Sequence, residues 1–143
     1  MKSLKISILV FAIMTALKKG ATDIYILGAT GTRMDHTITN IGNMKVAADC
    51  GKDCHIVDEH NYIYLLSEAV GTHIIGKDSQ YGRYVSIIPM SENVSLSLEG
   101  FKYTLDNYEL KQGLSICQSN EVEDEQGIIK VHKGVVIVLE TKD

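Results

Sequence analysis

The sequence predicts an α/β fragment (helix, parallel strand, helix) followed by an all-β antiparallel sandwich or jelly-roll domain. Two observations predict it. The hydrophobic period is helical up to residue 50 and close to two from residue 54 onward. The second is the glycine-rich turn "GATGTRMDH" at residues 28–36, set between a short apolar run and an amphipathic stretch. The expected division is therefore residues 1–50 for the α/β part and 51–143 for the β part.

The opening "MKSLKISILVFAIMTALKKGA" has a lysine-bearing start and an apolar middle. One reading is a signal whose residues 1–16 are removed. The other is a helix ending at Lys18, Lys19 and Gly20, cations followed by a C-terminal glycine. The strand-like continuation "ATDIYILGA" favours the helix, and the run Ile6 to Leu17 is too short to span a bilayer. No membrane partner is expected.

Ile24 to Leu27 reads as a strand buried in a parallel sheet. Gly28 and Gly31 then permit backbone conformations that side chains forbid. Ile38, Ile41, Met44 or Lys45, and Ala48 recur at helical spacing, with Asp35 or Thr37 as the cap. In such a βα unit the turn lies at the C-terminal end of the strand, where α/β sheets place ligands.

Cys50, Cys54 and Cys117 are an odd set and make no disulfide framework, so the thiols point to a reducing, cytoplasmic setting. Cys50, Cys54 and His55 have ligand-like spacing, but a surface turn between helix and strand accounts for them better. The net charge of -4, with no basic cluster, argues against a nucleic-acid surface.

Beyond residue 54 the runs "HIVDEHNYIYLL", "THIIG", "YVSIIP", "VSLSLEGFKYTL", "LSICQS" and "IIKVHKGVVIVLE" are β-rich and parted by turn residues. Val94, Leu96 and Leu98 alternate with Ser95, Ser97 and Glu99, one face dry and one wet. Lys133-Gly134 is expected to close a last hairpin, residues 128–132 against 135–140.

Arg33 and Asp35 pair a phosphate-binding group with one that binds a hard metal. By themselves they also fit a surface ion pair that stiffens the turn. The order of "ILGATGTRMDHTITNI", "IVDEHNYIYLL", "VSIIPMSENVSLSLEGFKYTLDNYELKQGLSICQSNE" and "VHKGVVIVLE" resembles the thiamine pyrophosphokinases over residues 20–143.

The resemblance implies transfer of diphosphate from ATP to thiamine, an ATP-dependent kinase reaction giving thiamine diphosphate and AMP. It implies Mg2+, a homodimer, and a thiamine-binding sandwich at 51–143, with 1–50 a remnant of the nucleotide-binding catalytic domain. Residue by residue, it implies that Arg33 and Asp35 are catalytic and that Asp35 is a Mg2+ ligand. Gly28, Gly31 and Thr32 would form the phosphate-binding loop, and Ser119 and Asn120 would hold thiamine.

The chain also departs from the family pattern. Thr32 stands where the family usually has a second glycine, and Val122 where an aromatic often follows Ser-Asn. The family's aspartate-rich motifs ahead of the turn have no counterpart before Asp23, so the chain reads as lacking most of the N-terminal nucleotide domain. Two alternatives stand beside catalysis: a non-catalytic thiamine-binding module, and a secreted β domain. The bland reading holds for four other features: His36 as a first-turn helix residue, Asp58-Glu59-His60 as a turn between strands, Tyr103 as sandwich packing, and Glu121–Glu125 as a solvated loop.

Overall fold

The structure, a computed structural model, describes residues 6–143. It is mostly β with few helices and divides into two compact units, residues 1–58 and 59–143. The signal alternative falls partly on residues 1–5, which lie outside the described residues.

In the first unit, α1 (Ile8–Lys18) begins at Ser7, whose hydroxyl accepts from the Leu9 N–H. It ends as expected at Lys19, with Gly20 at φ 87°. Strand β1 (Asp23–Leu27) follows, then α2 (Met34–Asn43), α3 (Lys45–Ala48) and β2 (Asp53–Val57). β1 and β2 pair in parallel, with Leu27 opposite Val57. Because β2 lies past Gly51 yet pairs with β1, the units divide after Asp58 rather than at residue 50.

Ile13, Ala29, Met44, Ala47, Cys54 and Ile56 are the buried apolar residues of this unit among those described. β1 is parallel but not enclosed: Tyr25 is 60% and Leu27 76% exposed. A continuous apolar run signals burial on both faces, and here one face is left bare. The α2 expectation also shifts. Its N-cap is Arg33, with no side-chain cap bond, so Asp35 and Thr37 lie inside the helix. Ile38 is exposed, and the buried positions Met44 and Ala47 come after α2 ends.

The second unit is an antiparallel sandwich. Strand β9 (Val135–Thr141) runs between β3 (Asn61–Ser67) and β5 (Tyr84–Pro89), antiparallel to both. The facing sheet has the order β4 (Thr72–Gly76), β8 (Gln126–Lys133), β6 (Val94–Glu99), β7 (Leu105–Leu110). Leu66, Val85, Ile87, Val136 and Val138 from one sheet bury against Ile75, Leu96, Leu98, Ile129 and Val131 from the other. The alternation read in 94–99 holds for the dry face, as Val94, Leu96 and Leu98 are buried. Ser97 on the other face is buried too, its hydroxyl bonded to His132 and the Asn107 N–H.

Three expectations fail here. Lys133-Gly134 closes no hairpin, because β8 pairs with β4 and β6 while β9 pairs with β3 and β5. The glycine instead carries the chain from one sheet to the other. It sits at φ 84°, where an added Cβ would lie 2.8 Å from Ser91 Oγ and 2.9 Å from Val94. "LSICQS" is not a strand but a turn segment, while the polar "LDNYEL" supplies β7. Tyr103 does not pack the sandwich; its ring is 60% exposed, with the Lys102 ammonium 5.8 Å from its centroid.

Candidate functional site

The seven residues singled out in the sequence fall into two groups, one in each unit. In the first unit the turn leaves β1 at Gly28, whose φ of 71° needs glycine. Gly31 has no positive φ, and a Cβ there would meet nothing within 4 Å. Its lack of a side chain is thus not demanded by the fold, contrary to expectation.

The turn is held at two successive residues. The Thr30 hydroxyl donates to Asp58 Oδ2 at 2.5 Å, and the Asn40 amide donates to the Ala29 carbonyl at 2.8 Å. Ala29 is buried, while Gly31, Thr32 and Arg33 are exposed. Arg33 and Asp35 bond each other through two contacts, Nε to Oδ1 at 3.2 Å and Nη2 to Oδ2 at 2.6 Å. Both side chains stand in solvent. The Arg33 guanidinium holds the Asp35 carboxyl below the usual carboxylate range. His36 lies in the first turn of α2, as expected.

Among the described residues no group of three His, Cys, Asp or Glu converges to hold an ion. Asp35 therefore offers a single carboxylate, which suits Mg2+ only where phosphate oxygens supply further ligands. Cys50 is exposed and Cys54 buried, and burial pushes the Cys54 thiol up to about 11. That opposes the thiolate a metal would need. The surface-turn reading fits Cys50, whereas Cys54 and His55 lie in β2 with Cys54 buried.

In the second unit Ser119 has φ 53°, uncommon for a residue with a side chain. Its N–H donates to Ser86 Oγ at 2.9 Å, which helps hold that conformation, and its side chain faces outward. Asn120 is different. It is 3% exposed, with Oδ1 accepting from the N–H groups of Tyr103 and Glu121 and Nδ2 donating to the Tyr103 carbonyl. Its backbone also exchanges two hydrogen bonds with Val85. Asn120 is a staple joining three segments, with both of its acceptor positions already used.

Beside Ser119 an open groove of about 610 Å3 runs along β5, lined by Ser86, Ile88, Leu114, Ser115 and Gln118 among others. Val122 is buried and bridges Phe101, so it belongs to the core and presents no ring. Glu121 is tied to Arg83 at 2.8 Å, which lowers its carboxyl's pKa. Sequence reasoning missed Thr30, Asn40 and the inward role of Asp58. Asp58 was visible only as part of an acidic turn.

A family model described as "Thiamin pyrophosphokinase, vitamin B1 binding domain" matches residues 72–136. The thiamine pyrophosphokinase of Bacillus subtilis (strain 168) is 35% identical over 129 residues, covering 90% of this chain and 59% of that protein. A crystal structure of thiamine pyrophosphokinase from Bacillus subtilis superposes with a TM-score of 0.86 at 34% identity. It covers 93% of this chain and 61% of that one. The chain is similar to the C-terminal portion of thiamine pyrophosphokinases. The corresponding protein from Geobacillus thermodenitrificans gives a TM-score of 0.80 at 32% identity, with 93% of this chain and 60% of that one covered. The chain thus spans about three-fifths of the length of these relatives. The fold class expected from sequence, an α/β fragment followed by a β-sandwich, agrees with these neighbours.

Proposed function

We propose that this chain carries the part of an ATP:thiamine diphosphotransferase that includes the thiamine-binding sandwich and one phosphate-facing turn. The main support is that the likeness to a thiamine pyrophosphokinase runs over 93% of the chain, through both units and not the sandwich alone. In the reaction the thiamine hydroxyl oxygen attacks the β-phosphorus of ATP. The bridging oxygen between α- and β-phosphorus leaves with AMP, and the hydroxyl proton is released.

Gly28, Gly31 and Thr32 offer an exposed turn at the C-terminal end of a parallel strand. Arg33 would turn from Asp35 to the phosphates, for which its planar fork is suited. Asp35 would then give Mg2+ one ligand beside the phosphate oxygens. Ser119, beside the β5 groove, is the side chain assigned to thiamine. Asn120 serves that place by holding its backbone. The active assembly is a cytoplasmic homodimer, with Ile88, Leu114 and Ile116 as exposed apolar side chains for the contact.

A second reading is favoured by one observation: the family model covers only the vitamin B1 binding domain. On that reading the chain binds thiamine without catalysis. AMP release from Mg-ATP separates the two. Thiamine-dependent release, cut at least tenfold by Arg33→Lys or Asp35→Asn, supports transfer. Thiamine binding without AMP release supports the module, and neither result sinks both.

A further inference from the structure

We propose that Asp58 and Asn40 are positioning residues that clamp the glycine-rich turn in the shape that receives phosphate. The proposal rests on the phosphate role given above to residues 28–33. The clamp is a pair of hydrogen bonds to adjacent residues, one from the end of β2 and one from α2. Asp58 follows the last residue of β2, beside the end of β1, and its carboxylate accepts from the Thr30 hydroxyl. Asn40 lies on α2 and donates to the carbonyl of Ala29.

These anchors matter because they hold the near end of the exposed part, whose far end is held where the Arg33 carbonyl accepts from the His36 and Thr37 N–H groups. Gly31, Thr32 and Arg33 are exposed, and a side chain added at Gly31 would meet nothing within 4 Å. Among the described residues, the Arg33 side chain is bonded to Asp35 alone, itself exposed. The position of the Arg33 guanidinium is therefore set through the backbone at residues 29–33. A ligand site on a loop loses affinity when ordering must be supplied at the moment of binding. The clamp supplies that order beforehand, through residues that touch no ligand.

The test uses the full chain and inorganic pyrophosphate with Mg2+ as probe. Backbone amide shifts of residues 28–33 report binding, and amide exchange in the absence of ligand reports the order of the turn. Thr30→Val keeps the shape and removes the donor, Asp58→Ala removes the acceptor, and Asp58→Asn keeps a carbonyl oxygen to accept. The expected result is about tenfold weaker pyrophosphate binding in the first two variants, on the scale of one hydrogen bond to a charged group. Asp58→Asn should recover much of it. Exchange should quicken at residues 29–32 while the β1–β2 amides stay protected.

Equal pyrophosphate affinity in all variants would overturn the clamp and leave the phosphate role standing. No binding even to the unsubstituted chain would remove the phosphate role, and exchange would then decide the clamp alone. Unchanged exchange at 29–32, or protection lost across β1 and β2 together, overturns it.

Discussion

Replacing Asn120 by alanine separates a structural staple from a ligand-binding amide. The side chain makes three hydrogen bonds, two accepted from Tyr103 and Glu121 and one donated to Tyr103, at 2.8–3.0 Å. At about 1 kcal/mol net for each, Asn120→Ala should destabilise the second unit by about 3 kcal/mol. With a urea m-value of roughly 2 kcal/mol/M, the midpoint falls by about 1.5 M. Tyrosine fluorescence reports this unit well, since Tyr25 is the one tyrosine before residue 59. Asn120→Asp is the informative companion. It keeps both accepted bonds but sets a carboxylate against the Tyr103 carbonyl, so its loss should shrink as acid protonates it. An Asn120→Ala chain with an unmoved midpoint and abolished thiamine binding would refute the staple and return the amide to the ligand.

Gly28→Ala should cost the first unit about 1–2 kcal/mol, because φ 71° crowds a Cβ against the following carbonyl. Gly31→Ala should stay within about 0.5 kcal/mol, and thermal melts of the two variants provide the comparison. Tyr64→Phe removes a 2.9 Å bond to the buried carboxylate of Glu140, which also accepts from the Tyr81 N–H. The expected loss is about 1–3 kcal/mol by urea titration, and an unchanged midpoint would count against that bond. His55 stacks on Tyr25 with centroids 4.7 Å apart, and desolvation lowers its pKa from the ordinary 6.5. The unfolded chain therefore binds its proton first as pH falls. This contribution is full above 6.5 and is lost as pH drops through the lowered folded value. His55→Gln should flatten that part of the stability profile.

Much of the fold could be read from local pattern. The helix ending at Lys18-Lys19-Gly20, the strands at 72–76 and 84–89, and the dry face of 94–99 all carry their own signals. Strand β7 does not. Its Asp106, Asn107 and Glu109 face water at a sheet edge, and Asn107 at φ 41° breaks the alternation. "LSICQS" alternates like a strand, yet it is a loop that plugs the core with Cys117 and leans on β5 through the Ile87 N–H. Lys133-Gly134 shows a different limit, because a strand–glycine–strand pattern is the same for a hairpin as for a step between sheets. At the candidate site the glycines and charges could be read from spacing alone. The Thr30–Asp58 bond could not, since its partners are 28 residues apart and meet only through the pairing of β1 with β2.

Helix α1 is apolar on nearly every side, Thr15 and Lys18 being its polar residues, yet Ile8 and Phe11 are 89% and 70% exposed. An all-apolar helix is normally enclosed. A second chain that covers that stripe binds the folded helix and not the unfolded one. Folding of the first unit is then coupled to the chemical potential of its cover, and its melting temperature rises with the logarithm of that concentration. The second unit has its own closed core, and its melting shifts with concentration through the proposed homodimer contact at Ile88, Leu114 and Ile116. Scans of the intact chain at several concentrations should therefore show a first-unit transition that rises with concentration.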